Sequence, residues 1–171
     1  MHLIIAEKHD AAKRIAQILS GSKPRSYRIG GVEAFKFGDK VVLGLSGHIV
    51  GVDYPPGYNN WQKVDCKELI RAEIVVRPIQ EKIVSALESL GREADSITIA
   101  TDFDREGELI GVEALNIVEK ANPGLHVDRV RYSAIVKDEI IKAFQKRGAV
   151  DFDLAASGEA RQIIDLVWGA A

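Results

Sequence analysis

The chain has 171 residues, 46% of them hydrophobic, enough for one well-buried core with at most a small appendage. Its 23 basic and 25 acidic side chains leave a net charge of −2, which argues against a broad sequence-independent DNA-binding surface acting alone, since such surfaces carry a strong basic excess. A lone cysteine, Cys66, excludes an internal disulfide framework. With no apolar run of about 18 residues and no secretory leader, a soluble, cytosolic protein without a membrane partner is expected.

In chain order, His2 to Ala6 reads as a short buried strand running through Glu7, Lys8 and His9 into a helix from about Asp10 to Leu19, with Asp10 as its N-cap. Ser26 to Ile29, Val32 to Phe37 and Lys40 to Leu45 then form a small antiparallel meander, separated by Gly30-Gly31 and Gly38-Asp39. Ser46 to about Lys67 is expected to be a long loop, because Pro55, Pro56 and Gly57 forbid regular structure there. Ala72 to Val76 is a strand, and Pro78 opens a helix reaching about Leu90. Asp95 to Ala100 is a buried strand, followed by a helical pattern from Gly107 to Lys120 with Leu109, Ile110, Val112, Leu115 and Val118 on one face. Leu125 to Tyr132 alternates as a strand, Asp138 to Lys146 is helical, and Leu154 to Trp168 is a last amphipathic helix. The alternation of strand and helix in this half predicts an α/β fold with a mainly parallel sheet flanked by helices.

The chemistry concentrates in TDFDREGE, Thr101 to Glu108, where Asp102, Asp104, Glu106 and Glu108 crowd the point at which a strand ends and a helix begins. Such crowding needs a compensating cation, and hard oxygen ligands at the C-terminal edge of an open α/β sheet suit Mg²⁺. Glu7, at the end of the first strand, is expected to share that edge. A carboxylate beside an acidic cluster resists ionisation and can serve as a general acid, with Lys8 next to it as a phosphate contact. Taken in isolation, Glu7 and Lys8 read better as solvated charges that begin the first helix.

A strand ending in a lone Glu, followed much later by a strand ending in DxD, resembles the Toprim domain. MHLIIAEKHDAAKRIAQIL and TDFDREGELI further resemble type IA DNA topoisomerases of the archaeal and topoisomerase III-like branch, and SGHIVGVDYP, the tryptophan in NNWQKVD, RVRYSAIVKDEIIKAF and EARQIIDLVWGAA follow in the family's order. The resemblance implies a Toprim-type, Rossmann-like domain over residues 1–151 and, over 152–171, the start of a helix leading into a next, absent domain. It implies that Glu7 is the active-site acid, that Asp102 and Asp104 are Mg²⁺ ligands supported by Glu106, and that Lys8 and Arg105 face DNA phosphate. The implied activity is ATP-independent: one DNA strand is cut through a 5′-phosphotyrosine bond and resealed, relaxing negative supercoils. The implied partners are single-stranded or underwound DNA and the rest of a parent chain carrying the tyrosine, in a cytoplasmic, nucleoid-associated setting.

None of the four tyrosines, Tyr27, Tyr54, Tyr58 and Tyr132, matches the family's nucleophile motif, so the chain is expected to be an N-terminal piece, inactive alone. His48, Ser133 and Arg161 are secondary candidates for facing DNA. A histidine in a Gly-flanked loop is more often a packing or hydrogen-bonding residue, and Arg161 with Asp165 is equally an ordinary surface i,i+4 pair. Ala134 and Val136 stand where many bacterial relatives carry an acid and a threonine cap. Glu108 is assigned to the helix N-terminus rather than to metal. A stand-alone Toprim nuclease or a primase-type module shares Glu7 and DxD but leaves the SGH, RYSAI and RQIIDLVWG segments unexplained. An aspartyl phosphatase would place DxD nearer the start, and a non-catalytic DNA-binding scaffold is the remaining class.

Overall fold

The computed structural model describes residues 1–58 and 63–170, so Trp61 of the NNWQKVD segment lies outside the described residues. Six strands form the main sheet in the order β2-β3-β4-β1-β7-β8: β1 His2–Ala6, β2 Arg25–Ile29, β3 Val32–Phe37, β4 Lys40–Gly44, β7 Ser96–Ala100 and β8 His126–Arg129. The pairs β4/β1, β1/β7 and β7/β8 are parallel, whereas β2/β3 and β3/β4 are antiparallel. The meander is therefore no appendage, because its third strand is the parallel neighbour of β1.

A strand covered on both faces must be apolar throughout. In β1, Leu3 and Ile5 enter one core with Ile97, Ile99, Leu87 and Leu115, while Ile4 and Ala6 enter the opposite core with Ile15, Val42, Ala100 and Ile140. The second core is closed by α1 (His9–Ser20) and α5 (Lys137–Gln145), and the first by α3 (Glu81–Glu93) and α4 (Arg105–Ala121). All four side chains Leu3 to Ala6 are fully buried, and burying each large one contributes roughly 1.5–3 kcal/mol. The last helix, α6 (Phe152–Ala170), lies along α4.

Several elements differ from the sequence reading. Asp10 is not the N-cap of α1; Lys8 holds that place without a side-chain cap, and Asp10 sits in the first turn. The expected loop from Ser46 contains β5 (Val50–Asp53), one 3-10 turn at Pro56–Tyr58 and a four-residue helix, α2 (Cys66–Leu69). The strand after it, β6 (Val75–Pro78), does not join the parallel sheet but pairs antiparallel with β5 in a separate two-stranded sheet. Pro78 closes that strand instead of opening a helix, since α3 starts at Glu81. The segment Leu125 to Tyr132 is a strand only over β8.

Chain crossing at the edge of β1 leaves no room for a side chain on β4. A Cβ on Gly44 would lie 2.5 Å from His9 Cα and 2.7 Å from the Lys8 carbonyl oxygen, both backbone atoms. Gly44→Ala is therefore expected to destabilise the chain by about 1–3 kcal/mol in urea denaturation, through forced backbone displacement.

Candidate active site

The register of the central strands decides what shares the sheet edge. Ala6 of β1 pairs with Ala100 of β7 and with Gly44 of β4, so the residues that follow, Glu7 and Thr101-Asp102, leave the sheet side by side. From β1 the chain proceeds to β4 on one side and later to β7 on the other, which makes the gap beyond β1 and β7 the switch point where open α/β sheets bind ligands. Backbone bonds fix the neighbouring loop there: Leu45 N donates to Ala6 O at 2.9 Å, and Gly47 N donates to Glu7 O at 3.2 Å.

The acidic turn is held from beneath by Arg129 at the end of β8, whose side chain is fully buried. Its guanidinium donates to the carbonyl oxygens of Thr101 (2.7 Å), Asp102 (2.9 Å) and Val130 (2.8 Å), and pairs with Glu108 at 2.8 Å. The other Glu108 oxygen accepts the Asp151 N–H at 2.8 Å, tying in the entry to α6. Glu108 is thus no mere helix-terminus charge; it is the counter-ion of a buried arginine. From above, the Asp104 side chain caps α4 by accepting from Gly107 N at 2.7 Å, and Thr101 Oγ1 donates to Gly107 O at 2.6 Å. Gly107 itself is compulsory, because a Cβ there would sit 2.1 Å from Asp102 O.

Glu7 faces this turn, with its Oε2 accepting the Asp102 N–H at 3.3 Å. Its carboxyl pKa is raised above the ordinary 4.5, first by burial and then by the charge of Asp102, with Asp104 adding to the rise. Glu106 turns the other way. Its Oε2 lies 2.7 Å from His48 Nε2, while His48 Nδ1 lies 2.8 Å from Glu113 Oε1 and Glu113 Oε2 accepts the Ile49 N–H at 3.1 Å. Gln162 Nε2 of α6 sits 3.3 Å from both ring nitrogens. Burial alone would lower the His48 pKa, but the two carboxylates outweigh it and raise it, while burial raises that of Glu113 as well.

Among the described residues, no group of three or more His, Cys, Asp or Glu side chains is arranged as a ready cage for a metal ion. Mg²⁺ does not require one: one or two carboxylates, several waters and substrate phosphates are its usual shell. The exposed Asp102 and Asp104, all-oxygen donors that both bear on Glu7, fit that demand. Glu106 is bonded to His48.

Of the other residues singled out by sequence, Lys8 is exposed and bridges Ser46 through its backbone, and Arg105 is exposed at the first position of α4. The Ser133 amide donates to Glu139 Oε2 at 2.9 Å, as does that of Ala134 at 3.0 Å, so an acid from within α5 secures the segment that Ala134 and Val136 leave without a side-chain cap. Arg161 is exposed on α6 and reaches Asp165 at 3.8 Å, the ordinary i,i+4 pair. Sequence reasoning missed Arg129, Glu113 and Tyr132, whose hydroxyl donates to Ala100 O at 2.7 Å. Arg129 and Glu113 had a signal, since each occupies an inward position of an otherwise apolar periodic stretch.

A family model described as the Toprim domain matches residues 2–135. The chain is 49% identical over 170 residues to a protein named DNA topoisomerase 1 from Archaeoglobus fulgidus, covering 98% of this chain and 26% of that one. It is 33% identical over 184 residues to human DNA topoisomerase 3-alpha, covering 99% of this chain and 18% of that protein. The chain thus spans about a quarter or less of these relatives. Among solved structures, full-length topoisomerase I from Thermotoga maritima shares the fold with a TM-score of 0.61 at 24% identity, over 96% of this chain and 24% of that one.

Two outcomes follow from the electrostatics. Arg129→Met strands the buried Glu108 charge and should cost about 3–5 kcal/mol in chemical denaturation, whereas Arg129→Met with Glu108→Leu should recover only the part due to that charge, the Thr101, Asp102 and Val130 carbonyls staying unmet. For Glu7, a raised folded-state pKa means that the native state holds its proton more tightly than the unfolded chain. Its ionisation penalty is therefore absent well below pH 4.5 and grows as pH rises through the folded pKa. Glu7→Gln should accordingly leave stability unchanged at low pH and raise it at pH 7, as read from denaturation midpoints across pH.

Proposed function

The chain belongs to the Toprim domain family, and from that premise we propose that it is the acid- and metal-bearing part of a type IA DNA topoisomerase. The observation that carries the reading is the meeting of Glu7 with the DFD turn, the Asp102 N–H on the Glu7 carboxylate, in a chain similar along almost its whole length to topoisomerases. In this reading residues 1–151 form the catalytic domain and α6 leads toward the rest of a parent chain. The substrate is single-stranded or underwound DNA, and the protein works in the cytoplasm beside the nucleoid.

Each residue then has a task. Glu7, whose carboxyl pKa is pushed up by burial and by its acidic neighbours, gives a proton to the departing 3′-oxygen when a DNA strand is cut, and takes it back on resealing. Asp102 and Asp104 would hold Mg²⁺, which when bound offsets the negative charge at the reacting phosphate. Lys8 and Arg105, both exposed, contact the DNA backbone. Glu106, oriented by His48, supports the waters around the metal. The nucleophilic tyrosine comes from the remainder of the parent: Tyr132 is unsuited, since its hydroxyl is committed to Ala100 O and burial pushes its pKa up.

Relaxation of negatively supercoiled DNA with Mg²⁺ tests this. The chain alone should be inactive and a mixture with the separately expressed remainder of its parent active, while Glu7→Gln in that mixture should lose roughly 10²- to 10⁴-fold, the range of a general acid. Relaxation or nicking by the chain alone would overturn the split-site reading and identify a self-sufficient nuclease.

A further inference from the structure

Phe103, between the two aspartates of the acidic turn, is 55% exposed, and the catalytic reading leaves its ring unused. The Arg131 guanidinium lies 5.2 Å from the centre of its ring and is held in place by a hydrogen bond to Ala149 O at 2.8 Å. Arg131 also walls two depressions. One, of about 250 Å³, is lined by Ser133, Lys142 and Lys146, and the other contains Phe152, itself 58% exposed. Glu139, the carboxylate in the first depression, is engaged by the Ser133 and Ala134 amides, so the three cations Arg131, Lys142 and Lys146 dominate its rim.

We infer that Phe103 and this basic cleft form a subsite for single-stranded DNA, with one base stacked on the Phe103 ring and the adjoining phosphates on Arg131, Lys142 and Lys146. The inference rests on the reading of DNA as substrate. Interleaved exposed aromatics and cations are the recognition chemistry of single strands, whose unpaired bases offer π faces to stack on. Asp102 and Asp104 flank the ring and repel a phosphate from it, which leaves an uncharged base as its fitting partner. The cations lie beyond the turn, where the backbone of the same strand would run. The weak overall charge of the chain is consistent with a short local track of this kind.

The test is fluorescence anisotropy with a labelled single-stranded oligonucleotide of about ten nucleotides, without Mg²⁺, alongside amide chemical shifts of the chain. Phe103→Leu should weaken binding roughly 5- to 100-fold and Phe103→Trp should retain it, as loss and retention of base stacking require. Lys142→Gln with Lys146→Gln should reduce the slope of log affinity against log salt by about 1.4, some 0.7 for each phosphate no longer neutralised. Unchanged binding in these variants, or shifts around Glu7 and Asp102 without shifts at Ser133, Lys142 and Lys146, would overturn the subsite and leave the DNA-cutting reading intact. Absence of any shift at millimolar oligonucleotide also overturns the subsite, and the relaxation assay then decides that reading by itself.

Discussion

One buried guanidinium organises the chemistry-bearing edge of this molecule. Arg129 leaves the last strand of the parallel sheet and reaches under the neighbouring strand's exit, where it binds the carbonyls of Thr101 and Asp102. Without it those carbonyls would lie in the interior with unmet hydrogen bonds, and the turn that presents the aspartates would have no floor. The desolvated charge is tolerable only because Glu108 is buried against it and because nearly every guanidinium donor is used. That pair extends to Asp151 N, so the start of α6 is set by the same charge that sets the acidic turn.

Crowded carboxylates are accommodated by giving each a different partner. Glu108 has an arginine, Glu106 has a histidine, and Asp104 has the N-terminus of α4, where the helix dipole favours negative charge. Asp102 is left open to solvent. Glu7 has little but a backbone N–H and a lysine neighbour to offset burial and two aspartates, and it is the member of the group whose protonated form is favoured. Unequal compensation within one acidic patch is what the proposed general acid and the proposed cation-binding pair would both rest on. On that reading the proposed roles of Glu7 and of Asp102 and Asp104 are two sides of the same electrostatic arrangement.

Much of this was legible in the residues. The strand ending at Ala6 is a continuous apolar run, the strand ending at Ala100 is β-branched and apolar, and each runs out into acidic residues; adjacency in a parallel sheet then follows from simple topology. The strands β5 and β6 were not legible as a pair, because β5 is short, flanked by Gly-rich and Pro-rich stretches, and depends on a partner more than 20 residues away. Nor was the bonding of Glu106 and Glu113 to one His48, residues remote in sequence that only the packing of α4 against the loop after β4 unites. Local patterns report which side chains are inward; they do not report which inward polar groups find each other.

The choice of arginine for the buried cation separates scaffold from chemistry. A histidine at position 129 would titrate in the physiological range, and a lysine, desolvated there, could shed its proton; a guanidinium does neither. Under the proposed function, protonation of Glu7 would change during a reaction cycle while the floor of the turn stays in register. Such a site would exchange protons with its substrate without loosening the frame that holds it.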